Sequence, residues 1–274
     1  YIGRDKLRNA RKAARQLLYT TVIFASVLTA ISLLTRQPLL RLLFGSIEPI
    51  VMEQCQIYFL ITAISYPFIA IFNSCAALFR SMGNSRFSMY ASLSMNLLNV
   101  VGNAVLIYGF KMGVAGAALS TLFSRIVASI FMVILLHNRQ NIVYLDRIFH
   151  VNFNKKIIKG ILNVGIPNGM ENGMFQLGKI VVQSLVSTFG TAAIAANAVG
   201  GRLADIMLIP GSAISLAIIT VVGQCIGAGD HEQAVFYTKK LMRYVYLSTA
   251  FTGVLVFLFA GPAAQLFNLS QEAT

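Results

Sequence analysis

The residues that could do chemistry in this sequence are polar side chains placed inside long apolar runs. They form three groups along the chain: Asn73, Asn99, Asn103 and Thr121; then Glu171, Gln176 and Lys179; and last Arg202 and Asp205. Polar groups are costly inside a bilayer unless they are paired or face water, so in a membrane protein they are candidates for binding an ion or a substrate. We therefore look for the site among these residues.

The sequence offers little from which an enzyme site could be built. It contains no GxSxG and no HExxH motif, and its three histidines lie outside the apolar runs. Three cysteines, Cys55, Cys75 and Cys225, have neither metal-ligand spacing nor even pairing. No phosphate-binding GxxxxGK[ST] loop occurs, so ATP is not expected to drive a process in this chain. An intramembrane enzyme is therefore the least favoured class, and we expect no cofactor and no metal site.

The composition places the chain in a membrane. Of its 274 residues, 57% are hydrophobic and 11% are charged, and the mean hydropathy is +0.72. Soluble domains carry about 25% charged residues, which are needed to cover their surface. The net charge of +13 would suggest nucleic acid in a soluble protein, but basic loops are typical of membrane proteins. We therefore expect lipid as a partner and no nucleic acid.

Apolar runs of about 20 residues are long enough to cross a bilayer core of about 30 Å. Seven such runs predict transmembrane helices: 17–34, 55–79, 87–108, 113–136, 157–189, 192–226 and 241–261. The fold class is accordingly all-α, a polytopic bundle of seven transmembrane helices. The fifth and sixth runs contain Pro167 and Pro210, which predict kinks or tilt.

The basic residues predict the orientation of these helices. Sixteen Lys and Arg fall on one side of the predicted spans, three fall on the other, and three lie within spans. Because basic loops stay in the cytoplasm, we expect the N-terminal end of the chain to be cytoplasmic.

The sequence also contains an internal repeat at a spacing of 224 residues. Ile2-Gly3 aligns with Ile226-Gly227, and the alignment continues through four further identities: Ala10 with Ala234, Leu17 with Leu241, Pro38 with Pro262, and Leu42 with Leu266. Each copy has a glycine-containing turn, a polar amphipathic stretch, an apolar span and a proline. Parallel repeats of this kind are typical of transporters built from two similar halves.

Several stretches resemble the MATE (multidrug and toxic compound extrusion) family. They are LFRSMGNSRFSM at 78–89, LNVVGNAVLIYG at 98–109 followed by GVAGAALST at 113–121, GIPNG at 165–169, and PGSAISLAIITVVGQCIGAGD at 210–230. The resemblance implies a transporter of two six-helix lobes, of which this chain would be an internal fragment covering about the third to ninth helices. Residues 1–140 would then end the N-terminal lobe, 141–156 would be a cytoplasmic inter-lobe linker, and 157–274 would begin the C-terminal lobe.

The resemblance also implies a role for the first group of polar residues. Positions matching Asn73, Asn99, Asn103 and Thr121 form a polar pocket in that family, together with an acid from the first helix. Asn103 stands where relatives often carry an acid, which would lower the charge of the pocket. Hydrogen bonding between helices is the alternative role for this group.

The other two groups leave more than one interpretation open. Gln176 follows the GIP proline by nine residues, where one branch of the family has an essential acid. Glu171 could be a displaced substitute for that acid, or it could form a structural ion pair with Lys179. Arg202 and Asp205 are three residues apart and hence neighbours on a helix, either as a structural pair or as the lining of a central cavity.

The function implied by the resemblance is cation-coupled export, driven by H⁺ or Na⁺, of amphipathic or cationic drugs by alternating access. The full-length protein is expected to be a monomer in the plasma membrane. The alternative from the same wider superfamily is a lipid-linked saccharide flippase. Such a flippase would need several cationic residues in its cavity, and only Arg125, Lys179 and Arg202 lie within the spans.

Overall fold

The computed structural model describes residues 1–44, 49–145 and 153–266, and these ranges contain helices and no strand. The α-helices are α1 (Leu7–Leu34), α2 (Arg36–Phe44), α3 (Pro49–Ile64), α4 (Tyr66–Ser81), α5 (Ser85–Asn103), α6 (Gly113–His137), α7 (Lys155–Ser187), α8 (Thr191–Ala228) and α9 (His231–Leu266). A short π-helix, Ala104–Gly109, continues α5. The predicted all-α class is confirmed.

Five helices are long and apolar enough to cross a membrane by length and composition. These candidate spans are Leu7–Leu34, Ser85–Gly109, Gly113–His137, Ala196–Ala228 and His231–Phe259. The second predicted span is a bent pair instead: α3 and α4 meet at 41° and count as one further span if the pair crosses the membrane as a unit. The break falls at Ser65, just before Pro67 in the first turn of α4, where a residue without an N–H group is tolerated.

The fifth predicted span differs from the expectation in its hydropathy. It is helical as α7, but it does not qualify as a candidate span. The cause is its polar content, because Asn163, Asn168, Glu171 and Asn172 interrupt the apolar sequence. By length and composition, therefore, the described residues contain five or six spans rather than seven.

The two prolines lie inside continuous helices, and the kinks or tilt predicted for them stay a prediction. Helices α7 and α8 continue through Pro167 and Pro210 without interruption. Neighbouring groups can satisfy the carbonyl that a proline leaves free in a transmembrane helix, so a proline does not have to end the helix.

The chain divides into two compact units, Tyr1–Ile158 and Lys159–Thr274. In the first unit, α6 packs against α3, α4 and α5, while α1 packs against α4. Its buried core lies where α1, α4 and α6 approach one another, and it includes Ala14, Cys75, Phe79, Met132 and Leu136. The small side chains in this core allow helices to approach closely, as packing in lipid requires.

The chain after α6 belongs to the same core. Val143 and Leu145 are each only 1% exposed, and the amide of Leu145 donates to the carbonyl of Leu136 over 3.0 Å. The Arg11 guanidinium donates to the Tyr144 hydroxyl over 3.0 Å and lies 4.1 Å from the centre of its ring. The start of the predicted linker 141–156 is thus fixed to the first unit, while its residues 146–152 lie outside the described ranges. The predicted lobe boundaries stay a prediction.

In the second unit, α8 packs along α9. The Thr252 hydroxyl of α9 lies 3.2 Å from the Met207 carbonyl of α8, and it also lies 2.9 Å from the Ser248 carbonyl one turn earlier. Helix α7 is joined to α8 by a hydrogen bond of 2.7 Å from the Asn197 amide to Gln183 Oε1. The second unit therefore combines a close helix pair with a third helix tied to it by a polar contact.

The 224-residue repeat is present in the backbone as well as in the sequence. Asp5 and Gly229 occupy equivalent positions, and both have a positive φ, 53° and 87°. The amide of Asp5 donates to the Ile2 carbonyl, as that of Gly229 does to the Ile226 carbonyl. Helices α1 and α9 begin two residues later, at equivalent positions. The two copies therefore start their helices with the same turn.

We expect Gly229→Ala to destabilise the protein because a Cβ is strained at a φ of 87°. The loss should be about 1 kcal/mol, measured as a lower Tm of the purified full-length protein in detergent. Gly223→Ala is the matched control, since Gly223 lies within α8 with open space around it and alanine favours a helix. Equal shifts of Tm in the two variants would contradict the strained turn.

Candidate functional site

Three of the predicted site residues form one hydrogen-bonded network between α5 and α6. The side-chain amide of Asn99 donates to the Thr121 hydroxyl oxygen over 3.1 Å. One turn further along α5, the amide of Asn103 donates to Asn99 Oδ1 over 3.2 Å. Residues four apart share a helix face, which explains why both asparagines point towards α6. The structure therefore joins Asn99, Asn103 and Thr121, all of them half-buried.

Helices α5 and α6 also approach each other closely at the level of this network. The Ser120 hydroxyl donates to the Asn99 backbone carbonyl over 2.9 Å, so a second bond ties the helices at this level. A Cβ added to Gly102 would collide with Ser120 Oγ and lie 3.2 Å from its Cβ. The glycine thus lets the helices come close enough for the Asn99–Thr121 bond to form.

One atom of the network has no partner. Asn103 Oδ1 is buried and accepts no hydrogen bond from the described residues. Leaving a buried acceptor unsatisfied costs about 1–3 kcal/mol. Asn103 is also the last residue of α5 before the π-helix, a type of turn that often accompanies functional sites. The free oxygen is therefore a place where a donor or a cation would be stabilised.

Asn73, the fourth residue of the predicted group, is not part of this network. It lies on α4, its side chain is exposed, and it forms no hydrogen bond with the described residues. Its neighbour Ser74 is the buried one, and it donates to Thr21 of α1 over 3.1 Å. The structure therefore supports a network of three of the four predicted residues.

Arg125, which the sequence analysis counted only among the cations within the spans, has a defined partner in the structure. Its guanidinium donates to Ser65 Oγ, at the break between α3 and α4. The Ser65 hydroxyl in turn donates to the Thr62 carbonyl over 2.6 Å, so Ser65 caps the end of α3 and the arginine holds that serine. An arginine four residues after Thr121 inside an apolar run was the available signal. Arg125 places a positive charge one helical turn from the network.

The second unit brings three charged side chains to one groove. A groove of about 940 Å³ lies between α7 and α8, and Lys179, Gln183, Asn197, Arg202 and Asp205 line it together with apolar residues such as Met174 and Phe175. Arg202 and Asp205 approach to 4.0 Å, but both side chains are largely exposed. An exposed pair contributes little stability, and the choice between a structural pair and the lining of a central cavity stays a prediction.

The predicted ion pair between Glu171 and Lys179 is not formed. Eight residues separate them, which is about 12 Å along a helix. The Lys179 ammonium instead lies 5.2 Å from the centre of the Phe175 ring, one turn earlier. Glu171 and Gln176 are exposed on α7 and neither lines the groove. The structure does not bring these two residues together with Arg202 and Asp205.

These geometries limit what each place can do. The network in the first unit consists of neutral amide and hydroxyl groups, which can coordinate a cation through oxygen but cannot supply a negative charge. Within the described ranges, no cluster of three or more His, Cys, Asp or Glu side chains could hold a metal ion. The chemistry that the arrangement supports is reversible binding rather than a covalent reaction.

Comparisons with known proteins identify relatives along the whole chain. Residues 1–105 and 167–274 match the family model described as MatE. The uncharacterized transporter YisQ of Bacillus subtilis is 24% identical over 99% of this chain and 60% of its own length. The probable multidrug resistance protein NorM of Thermotoga maritima is 27% identical over 94% of this chain and 56% of its own length. The chain thus spans less than two thirds of these relatives.

Solved structures show the same fold. One, described as the outward-facing conformation of a multidrug resistance MATE family transporter of the MOP superfamily, matches with a TM-score of 0.87 and 23% identity. The match covers 97% of this chain and 59% of the other. At this level of identity the likeness establishes the fold alone.

We expect Gly102→Ala to separate α5 from α6, because the added methyl group would overlap the Ser120 side chain. The free energy of unfolding should fall by about 1–3 kcal/mol, measured as a lower Tm of the full-length protein in detergent. Gly109→Ala is the control, since no atom lies within 4 Å of the Cβ position there. If the two variants melt together, the close approach at Gly102 does not hold the network.

Proposed function

Because this chain belongs to the MatE family, whose members are membrane transporters, we propose that the whole protein exports amphipathic or cationic compounds in exchange for H⁺ or Na⁺. Two kinds of relative support the export of drugs: one is named a probable multidrug resistance protein, and another is the multidrug export protein MepA of Staphylococcus saprophyticus. The MepA match is 30% identical over 53% of this chain and 32% of that protein.

The observation that carries the coupling proposal is the buried, unpartnered Oδ1 of Asn103. Asn103 lies one helical turn from the Asn99–Thr121 hydrogen bond and is bonded to Asn99, so the network carries several neutral oxygens between α5 and α6. A hard cation such as Na⁺ prefers oxygen ligands, and a protonated carboxyl group could donate to the same oxygen. Since the network itself is neutral, an acid outside it completes the site in this proposal.

The groove of the second unit supports an amphipathic substrate. Met174, Phe175, Val182 and Leu208 give it apolar surface, and charged residues lie beside them. Methionine side chains adapt to ligands of varied shape, which suits a transporter with many substrates. Transport would follow alternating access, in which the two lobes rock about a site at the midplane.

The basic residues support the proposed location. The N-terminal end carries Arg4, Lys6, Arg8, Arg11, Lys12 and Arg15. By the positive-inside rule this end lies in the cytoplasm of a cell whose plasma membrane holds the protein. The transporter acts as a monomer in this proposal.

The saccharide flippase ranks second because its expected cationic cavity is only partly present. Lys179 and Arg202 line one groove, but Asp205 lies 4.0 Å from Arg202 and offsets part of its charge. The third cation, Arg125, is engaged by Ser65 in the first unit. Export of amphipathic drugs therefore accounts for more of the described residues.

We expect Asn99→Ala or Thr121→Ala in the full-length protein to lower drug efflux about tenfold. The reason is that loss of the 3.1 Å bond between these residues disturbs the coupling pocket. Efflux of a fluorescent cationic drug from cells, with membrane levels checked by immunoblot, is the measurement. Gln176→Ala serves as the control and should retain most coupled efflux, because an amide side chain cannot release a proton. Wild-type efflux by the Asn99 and Thr121 variants would remove the pocket from the mechanism.

We expect Glu171→Gln to change neither the rate of efflux nor its pH dependence. Its carboxylate is exposed on α7 and has no ion-pair partner among the described residues. Transport driven by an imposed pH or Na⁺ gradient in proteoliposomes tests this, with Glu232→Gln, at the start of α9, as the control. Loss of coupling in Glu171→Gln alone, with normal expression, would move the ion site to the second unit.

A further inference from the structure

A cleft of about 260 Å³ runs along α1 in the first unit, away from the Asn99 network. It lies between α1, α4, α6 and the chain that follows α6. The apolar residues that line it include Leu18, Val22, Ile23, Ile71, Val133 and Phe153. The residues used for coupling and for substrate in the proposed function do not line it.

Among the described residues, Arg15 is the one charged residue that lines this cleft. It is half-buried, and it forms no hydrogen bond or ion pair within the described part of the chain. Arg11, one turn earlier, differs because its guanidinium is engaged by Tyr144. The cleft therefore combines an apolar trough with an unpaired positive charge at one end.

The dimensions and setting of the cleft match one kind of molecule. From Arg15 to Ile23 the helix advances eight residues, or about 12 Å. Ile23 is 51% exposed and lies in a candidate membrane span, which places the open side of the trough at the level of the bilayer. An acyl chain fits an apolar trough, and a phosphate group fits an unpaired guanidinium.

A second apolar cavity in the same unit differs from the cleft because no charged residue lines it. A space of about 600 Å³ lies between α5 and α6, and its lining includes Leu98, Val105 and Phe123 but no charged residue. That cavity can hold hydrocarbon, but it cannot select for charge. Of these two spaces in the first unit, the cleft along α1 is the one that offers both apolar surface and a cation, as an amphipathic anion requires.

We propose that this cleft binds an anionic phospholipid, with one acyl chain along α1 and the phosphate on Arg15. The lipid would fill the space between α1, α4 and α6 and contact Leu145 and Phe153 beside them. It is a bound lipid and not a transported one, so the site is separate from the proposed export function. It also stands if the transported substrate proves to be something else.

The charge requirement is tested with the purified full-length protein and lipid of known composition. Native mass spectrometry measures retention of phosphatidylglycerol against phosphatidylcholine of the same acyl chains. Arg15→Gln should lower the affinity for phosphatidylglycerol about fivefold and leave phosphatidylcholine unchanged, while Arg15→Lys should keep most of it. Arg86→Gln, an exposed arginine at the start of α5 that does not line the cleft, is the control and should bind like wild type.

The cleft itself is tested by filling it. Val22→Trp should displace phosphatidylglycerol while Arg15 keeps its charge, whereas Val27→Trp, on an exposed part of α1 outside the cleft, should not. Unchanged retention in Val22→Trp would mean that the arginine attracts lipid only at the surface and would overturn the proposal. Equal losses in Arg15→Gln and Arg86→Gln, or no loss in either, would overturn it as well.

Discussion

The core of a bilayer contains no water that could form hydrogen bonds with a polar group, so the protein itself must supply the partner. The described residues meet this requirement first by forming helices, and then by turning hydroxyl groups back onto them. Thr121 donates to the carbonyl of Ala117, four residues earlier, over 2.9 Å. Thr29 does the same to Ala25 and also lies 3.2 Å from the Ala63 carbonyl of α3. Side chains that satisfy their own helix thereby become contacts between helices.

The same requirement explains how much of the fold the sequence predicts. Long apolar runs must be helical, and the spacing of 224 residues that relates two turns in the sequence also relates their backbone, at Asp5 and Gly229. Hydropathy does not reveal how a span is broken, because the bend at Ser65 involves Pro67, the Ser65 hydroxyl that caps α3, and an arginine from α6 that binds this hydroxyl. It also overstates α7, whose asparagines are tolerated in a helix but lower its apolar character.

Some contacts of the candidate site are set by spacing within one helix, and others depend on how the helices pack. The pairing of Asn99 with Asn103 follows from their spacing of four residues, which any helix brings together. The contribution of Thr121 depends on how α6 packs, and it was predicted from the family resemblance rather than from spacing. The exposed position of Asn73 and the absence of an ion pair at Glu171 follow from helix rotation and from distance along α7. The sequence positions of polar residues inside spans do not show how a helix is rotated or which side chains come within contact distance.

The buried residues after α6 have a consequence for how the protein is made. Val143 and Leu145 lie in the same core as Ala14, near the beginning of the chain. A ribosome must therefore translate past Leu145 before the first unit can complete its core, although α1, α4 and α6 have already been synthesised. Until then, the core surface of those helices that Val143 and Leu145 will cover remains exposed. Completion of the first unit thus coincides with synthesis of the segment that leads into the second, which allows the units to form in sequence during insertion.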